Sequence, residues 1–271
     1  MKNSEYWKLC FAQLEEAQNK LAETSLKEIE RQYRQAVREI EGKIDTWYRQ
    51  LGAKGISMAE ARKPLSVSEL ANFKLDVHDY IRYGKGNGLS GQWIKQLENV
   101  SAKLSISKYD ALMIDTRQSF EQMFGSQLRT VTETMGRIYE NGYYRTAYEL
   151  QKGVGIGFDV RKINREEVEK VLSKPWAADG KNFSERIWGS KEKLINEVHN
   201  ELTQKIITGA DPQKAIDAIA KKMNTSKSNA GRLVMTEGAY FGSDAQEKSY
   251  KDLGVKQYEV LATIDSHTSE M

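Results

Sequence analysis

The chain has 271 residues, 39% of them hydrophobic, with 41 basic residues against 38 acidic ones. A mean hydropathy of -0.66 is dilute for one compact globule and suits elongated helices with much solvated surface. The net charge of +3 neither demands nor excludes a nucleic-acid partner, and the single cysteine, Cys10, excludes an intrachain disulfide and a cysteine-rich zinc site.

The first unit covers residues 5 to 51. Apolar residues recur three or four apart at Ile29, Tyr33, Val37, Ile40, Ile44, Trp47 and Leu51. Upstream, Trp7, Phe11, Leu14, Ala17 and Leu21 do the same, with a phase slip near Ser25. This predicts one long amphipathic helix, or two in series, with a coiled-coil-like stripe. The stripe is read either as bundle packing or as an arm against a partner. Gly52-Ala-Lys-Gly55 breaks the pattern. Ser66-Val-Ser-Glu69 is a capping box that opens a helix to about Tyr83, and Gly84-Lys-Gly-Asn-Gly88 reads as a loop. A short helix over 90–103 follows, then a second long one from Ser107 to Leu150, ended by the glycines of Lys152–Gly157.

A second unit begins near residue 160. A helix over 164–173 stops at Lys174-Pro175, because the residue before proline resists the helical region. Another starts at Ser184, with Ile187, Leu194, Ile195, Val198, Leu202 and Ile206 on one face and Gly209 as its stop. Asp211-Pro212 is an N-cap followed by proline at the first helical position. That helix is expected to end at Met223, and a further one to span 226–253 and end at Gly254. Gln257 to Ile264 reads as a strand without a local partner.

Candidate chemistry is sparse. Gly153-Val-Gly-Ile-Gly157 follows a helix rather than a strand and lacks dinucleotide spacing. His78, His199 and His267 stand at no metal-ligand spacing. Trp176, Phe183, Arg186 and Trp188 crowd one short segment, read either as packing between the two units or as an anchor patch for a partner protein. Lys221, Lys222, Lys227 and Arg232 form a basic stretch without an acid, read as helix-end solvation or as phosphate contact. No apolar run approaches the roughly 20 residues of a bilayer span. The start of the chain lacks a secretory apolar region, so synthesis in the cytosol is expected.

Several of these segments together resemble the Mu F-like minor head proteins of tailed phages, in the form found in phages of Gram-positive hosts. The resemblance rests on Trp176 with Arg186-Ile-Trp188, on Gly209 before Asp211-Pro212, and on Arg232-Leu-Val-Met-Thr236-Glu237. It continues with Gly254, Tyr258 and Ala262-Thr-Ile-Asp265, followed by Thr268. Many relatives carry a cysteine where Ser269 stands and a His/Cys-rich tail beyond it, so a truncated form is expected. The resemblance implies a non-enzymatic minor head protein without cofactor or metal. Such a protein associates with the dodecameric portal during assembly, with scaffold or major capsid protein as further partners. It also implies non-specific contact with double-stranded DNA, no membrane partner, and a place inside the head after assembly in the host cytoplasm. Some relatives carry toxin domains after this region, so the alternative is the carrier region of a Mu F-type toxin with its catalytic domain beyond residue 271. The expected architecture is mainly α. Residues 1–157 form an extended, portal-associating helical region, and residues 158–271 form the head-morphogenesis domain with a small incomplete β element.

Overall fold

Helix length here is set by where apolar stripes run and where proline and left-handed glycine interrupt them. The computed structural model describes residues 4–51, 57–155, 157 and 159–258. Among them are eight helices: α1 (Ser4–Leu51), α2 (Met58–Ala61), α3 (Val67–Asn87), α4 (Gly91–Ser101), α5 (Lys108–Val154), α6 (Arg165–Leu172), α7 (Phe183–Ile207) and α8 (Pro212–Asp252). The fold is mainly α. The strand expected at Gln257–Ile264 lies outside the described residues from 259 onward, and Gln257 and Tyr258 are not in a strand.

α1 is one unbroken helix of 48 residues, about 72 Å long at 1.5 Å per residue. Its buried stripe runs Leu14, Gln18, Ala22, Ser25, Ile29, Tyr33, Ala36, Ile40, Ile44, Trp47 and Leu51. The phase slip expected near Ser25 is absent. Two stripe positions, Gln18 and Ser25, are polar and buried, and they hide the continuity from a reading of apolar residues. From Gln18 onward the same position returns at Ile29, Ile40 and Leu51. An 11-residue repeat of this kind matches the helix period closely and keeps the stripe on one side without left-handed supercoiling.

Against that stripe lie α5 and α8. Trp7 meets Gly153, Gln18 meets Gly142, Gln32 donates to Thr130 at 2.9 Å, and Trp47 donates to Asp115 at 2.8 Å. As α1 numbers rise the α5 numbers fall, so the two helices are antiparallel. Likewise Phe11 faces Tyr250, Leu26 faces Gly231 and Tyr33 bonds Ser226 at 2.9 Å, so α8 is also antiparallel to α1. α5 and α8 therefore run parallel, with Gly238 beside Ile138 and Gly142 beside Ala245. α7 is the return segment that lets them do so. It packs antiparallel on α5, through Lys191–Glu121 and Tyr109–Thr203, and on α8 through Phe183–Phe241. One buried apolar cluster runs through all the long helices, with members on both sides of residue 157.

The structure corrects two local expectations. α8 does not break at Met223. Thr225 and Ser228 turn their hydroxyls back to the carbonyls of Lys221 and Asn224, at 3.2 and 3.1 Å, while Ser226 is held by Tyr33. Packing on α1 thus overrides the weak helix propensity of Asn-Thr-Ser-Lys-Ser-Asn. α3 likewise passes through Gly84 and Gly86 and ends at Gly88, where φ is 66°. A Cβ on Gly84 would stand 3.2 Å from Ile94 of α4, so this glycine serves helix contact within a helix rather than a loop.

α3 and α4 cover the flank of α5. Asp115, buried on α5, accepts from Trp47 of α1 at 2.8 Å and from Tyr80 of α3 at 3.1 Å. Lys43 donates to the Asp115 carbonyl and to Ser119. Burial pushes the Asp115 carboxyl up; the nearby Lys43 charge and the two donors oppose that shift.

This packing has two measurable consequences. A Cβ at Gly142 would stand 2.9 Å from Gln18 Nε2 and 3.0 Å from Ala245 Cβ, whereas Gly42 has nothing within 4 Å. Gly142→Leu should cost about 1–3 kcal/mol through overpacking, and Gly42→Ala should stabilise by up to about 1 kcal/mol, both measured by urea unfolding. The second concerns His199, half-buried between α7 and α5, whose pKa is lowered to about 4 by burial and by Arg117. The unfolded chain takes up this proton below about 6.5 and the folded chain does not. Stability should therefore fall as pH drops from about 6.5 toward 4, by up to about 1.4 kcal/mol per pH unit. His199→Gln should flatten that part of the profile in denaturant midpoints taken against pH.

Candidate functional site

Three residues quoted from separate segments, Trp176, Arg186 and Glu237, meet in space. α6 ends at Leu172 with Ser173 as its C-cap, and Lys174-Pro175 turns the chain across the α7–α8 pair. Trp176 then lies flat on Tyr240 of α8, with centroids 4.3 Å apart and planes 8° apart. Its Nε1 donates at 2.8 Å to Glu237 Oε2. Glu237 Oε1 accepts from Arg186 Nη1 of α7. The other edge of the guanidinium holds Asp179 through Nε at 3.2 Å and Nη2 at 2.7 Å. The Glu237 side chain is 1% exposed and that of Arg186 19%, so the pair is shielded on the carboxylate side and open on the other. Hydrogen bonds from Arg186 hold the Asp179 carboxyl below the usual range.

Local sequence dictates this placement. Asn182 caps α7 and forms a capping box with Glu185, and its amide donates to the Ser173 carbonyl at 3.1 Å. The linker between α6 and α7 is thereby pinned at both ends, which fixes Trp176 and Asp179. Arg186 lies four residues after the cap and faces α8. Tyr240 is three residues beyond Glu237 and so shares its face. The arrangement is a clasp: both oxygens of a buried carboxylate are satisfied, and one arginine joins α7, α8 and the linker.

Phe183 and Trp188 take other positions. Phe183 is 4% exposed and meets Phe241 edge-on at 6.2 Å, which corrects its reading as a surface anchor: its ring is part of the core. Trp188 is half-buried under the Lys191 ammonium, 4.5 Å from its ring. Lys191 itself forms a buried ion pair with Glu121 of α5, at 2.8 and 3.0 Å. Neither Asp179 nor the Lys191–Glu121 pair was singled out in the sequence. A lysine at a stripe-facing helix position is the signal that could have found the latter.

The basic stretch lies along the unbroken α8. At 100° per residue Lys221 and Arg232 share a face three turns apart, while Lys222 and Lys227 point elsewhere. Lys222 sits 3.7 Å from Glu197, and Arg232 hydrogen-bonds Asn229. Thr236 is exposed beside the buried Glu237, whereas Asp265 and Thr268 lie outside the described residues. His78 is exposed, and among the described residues no cluster of His, Cys, Asp and Glu could hold a metal ion. No described helix is long and apolar enough to cross a membrane.

No family model matches the chain, and no solved structure matches it. Its sequence is similar to the NAD(+)--arginine ADP-ribosyltransferase EFV of Enterococcus faecalis (strain ATCC 700802 / V583), 30% identical over 148 residues. The match covers 52% of this chain and 29% of that protein, so the chain spans under a third of its relative's length. This similarity overturns the expectation of a non-enzymatic protein, because the relative is named for an enzymatic activity.

Glu237→Ala would leave both the Arg186 guanidinium and the Trp176 N–H without their shared acceptor. It should destabilise the protein by about 3 kcal/mol, the lower end expected for breaking a buried pair, since Arg186 keeps Asp179. Removing the exposed Arg165–Glu169 pair, with side chains 91% and 60% exposed, by Arg165→Ala should change stability by under about 0.5 kcal/mol. Urea midpoints of the two variants check the contrast.

Proposed function

We propose that this helical bundle is the carrier region of a Mu F-type protein that delivers an arginine-modifying ADP-ribosyltransferase. The observation that carries the reading is the partial similarity to the enterococcal enzyme, 52% of this chain against 29% of that protein. A shared helical region within a longer, differently completed protein gives that pattern. The rod-like bundle supports it: a helix of about 72 Å offers a long lateral surface for docking on a helical assembly. In the same reading the dock is the phage portal, reached during head assembly, and the protein enters the virion with it.

An NAD site does not fit the groove that runs along α1. Its lining of Ala12, Glu15, Glu16, Asn19, Lys20 and Glu23 sets three carboxylates where the pyrophosphate would need donors and positive charge. No step of the transfer reaction is therefore assigned to that groove.

The carrier reading is tested with the 271-residue chain in two arms. Co-expression with the cognate portal and size exclusion at low salt should give a shared peak; separate elution would remove the docking part of the proposal. Incubation with NAD and agmatine as an arginine analogue, read by nicotinamide release, locates the transfer chemistry inside or outside these residues. Turnover by this chain would place the chemistry inside these residues and overturn the carrier assignment.

A further inference from the structure

The two halves of α1 are held by different means. The second half buries Ile29, Tyr33, Ile40, Ile44, Trp47 and Leu51. Polar bonds add to these: Tyr33 reaches Ser226 of α8 at 2.9 Å, and Lys43 and Trp47 donate to Ser119 and Asp115 of α5 at 2.9 and 2.8 Å. The first half, from Ser4 to Ser25, buries Cys10, Leu14, Gln18, Ala22 and Ser25. Leu14 is the one large apolar side chain among them, and Trp7 and Phe11 are only half-buried. Tyr6 and Cys10 both donate to Glu149 Oε2, each at 3.3 Å.

The groove that receives the first half carries polar groups where α1 excludes water. Gln18 lies between Gly142 and Gly242, and its Nε2 is buried without a hydrogen-bond partner. Because Gln18 faces Gly142 and Trp7 faces Gly153, Thr146 of α5 lies at the height of Leu14. Ser249 of α8 is one turn beyond Ala245, which touches Gly142, and so lies at the same height. Thr146 and Ser249 are 0% and 1% exposed. Both hydroxyls are orphaned, as is that of Ser25 on α1 itself. Each such group opposes the closed packing and recovers hydrogen bonds from water when the helices part. The Tyr48 hydroxyl in the second half is orphaned as well, but there it stands among large apolar contacts.

We propose that residues 4–25 of α1 are a releasable arm, a strap that parts from α5 and α8 as one unit while the rest of the bundle stays folded. Local opening is cheapest where few apolar contacts are buried, and this half has the fewest on α1. Its weak stretch is inward of its tip. At the tip the Trp7 ring fits against Gly153, where a Cβ would overlap it, and Phe11 meets Tyr250 edge-on at 6.1 Å. The orphaned groups lie behind these anchors, from the height of Leu14 to Ser25. Loss of the tip contacts therefore leaves little to hold the remainder, and the segment leaves together. Opening solvates Gln18, Thr146 and Ser249, bares the α5–α8 row of Gly142 and Gly242, and frees Cys10. It concerns the bundle alone and does not rest on its carrying an enzyme.

Cys10 is the single cysteine and is buried on the arm, so its thiol reports opening in the full, unlabelled chain. Its reaction with a chromogenic aromatic disulfide is followed in native buffer, and hydrogen exchange by mass spectrometry reads the amides. The amides from Cys10 to Ala22 should share one opening constant, at least about a hundredfold larger than that of Ile40 to Trp47, which open with the whole fold. Gly153→Ala, which displaces Trp7, should speed the thiol reaction at least about tenfold and leave the Ile40 to Trp47 amides unchanged. Thr146→Val with Ser249→Ala, which removes the orphaned hydroxyls, should slow it at least about threefold. Protection that climbs residue by residue from Ser4 would mean simple fraying and would overturn the proposal. So would equal exchange of the two amide groups, or a thiol rate that the hydroxyl-removing pair leaves unchanged.

Discussion

Everything in this molecule depends on three long helices lying close together along α1. Close approach of helix backbones requires small residues at the contact, and the chain supplies them at Gly142, Gly153, Gly238 and Gly242. Gln18 of α1 fills the narrow space between Gly142 and Gly242, and the Trp7 ring lies against Gly153. A stripe of leucines alone would hold the helices farther apart and would leave no room for these side chains. The glycines cost helix propensity, each by as much as about 1 kcal/mol relative to alanine. Tertiary packing over the whole length of α1 offsets that cost, as expected when helical stability comes from a buried face rather than from propensity.

Apolar stripes of this length fix which faces meet but only weakly fix the register along the axis. Buried polar contacts do that more sharply, because a slip would strand each group without its partner. They occur at separate heights. Asp115 gathers Trp47 and Tyr80 near one end. Lys191 and Glu121 lock α7 to α5. Glu237, Arg186 and Trp176 lock α7 and the linker to α8. Tyr143 donates to Asp252 at 2.9 Å toward the other end. Each joins different helices, so together they hold α5 and α8 parallel at one relative height and α7 antiparallel to both.

Much of this architecture was legible in the sequence, and what was not has identifiable causes. The capping box at Ser66, the proline at Pro212 and the left-handed glycines at Gly155 and Gly254 mark helix ends through local chemistry, and they were readable for that reason. The stripe of α1 was readable except where Gln18 and Ser25 stand in it, since a polar residue at a buried position carries no apolar signal. The run Asn224–Asn229 reads as a turn by propensity and is helical because α1 holds it. The site was legible only as separate motifs. Trp176, Arg186 and Glu237 could be quoted, but their meeting depends on α7 folding back on α8, which no spacing along the chain encodes. For Phe183, aromatic character alone could not distinguish a core position from a surface anchor.

The clasp also shows what a sequence motif can mean when it encodes position. Arg186 and Glu237 are 51 residues apart, and each has its charge satisfied chiefly by the other or by Asp179. Loss of Arg186 would strand the Glu237 carboxylate in a buried setting. The motif therefore reports how the linker before α7 is fastened to α8.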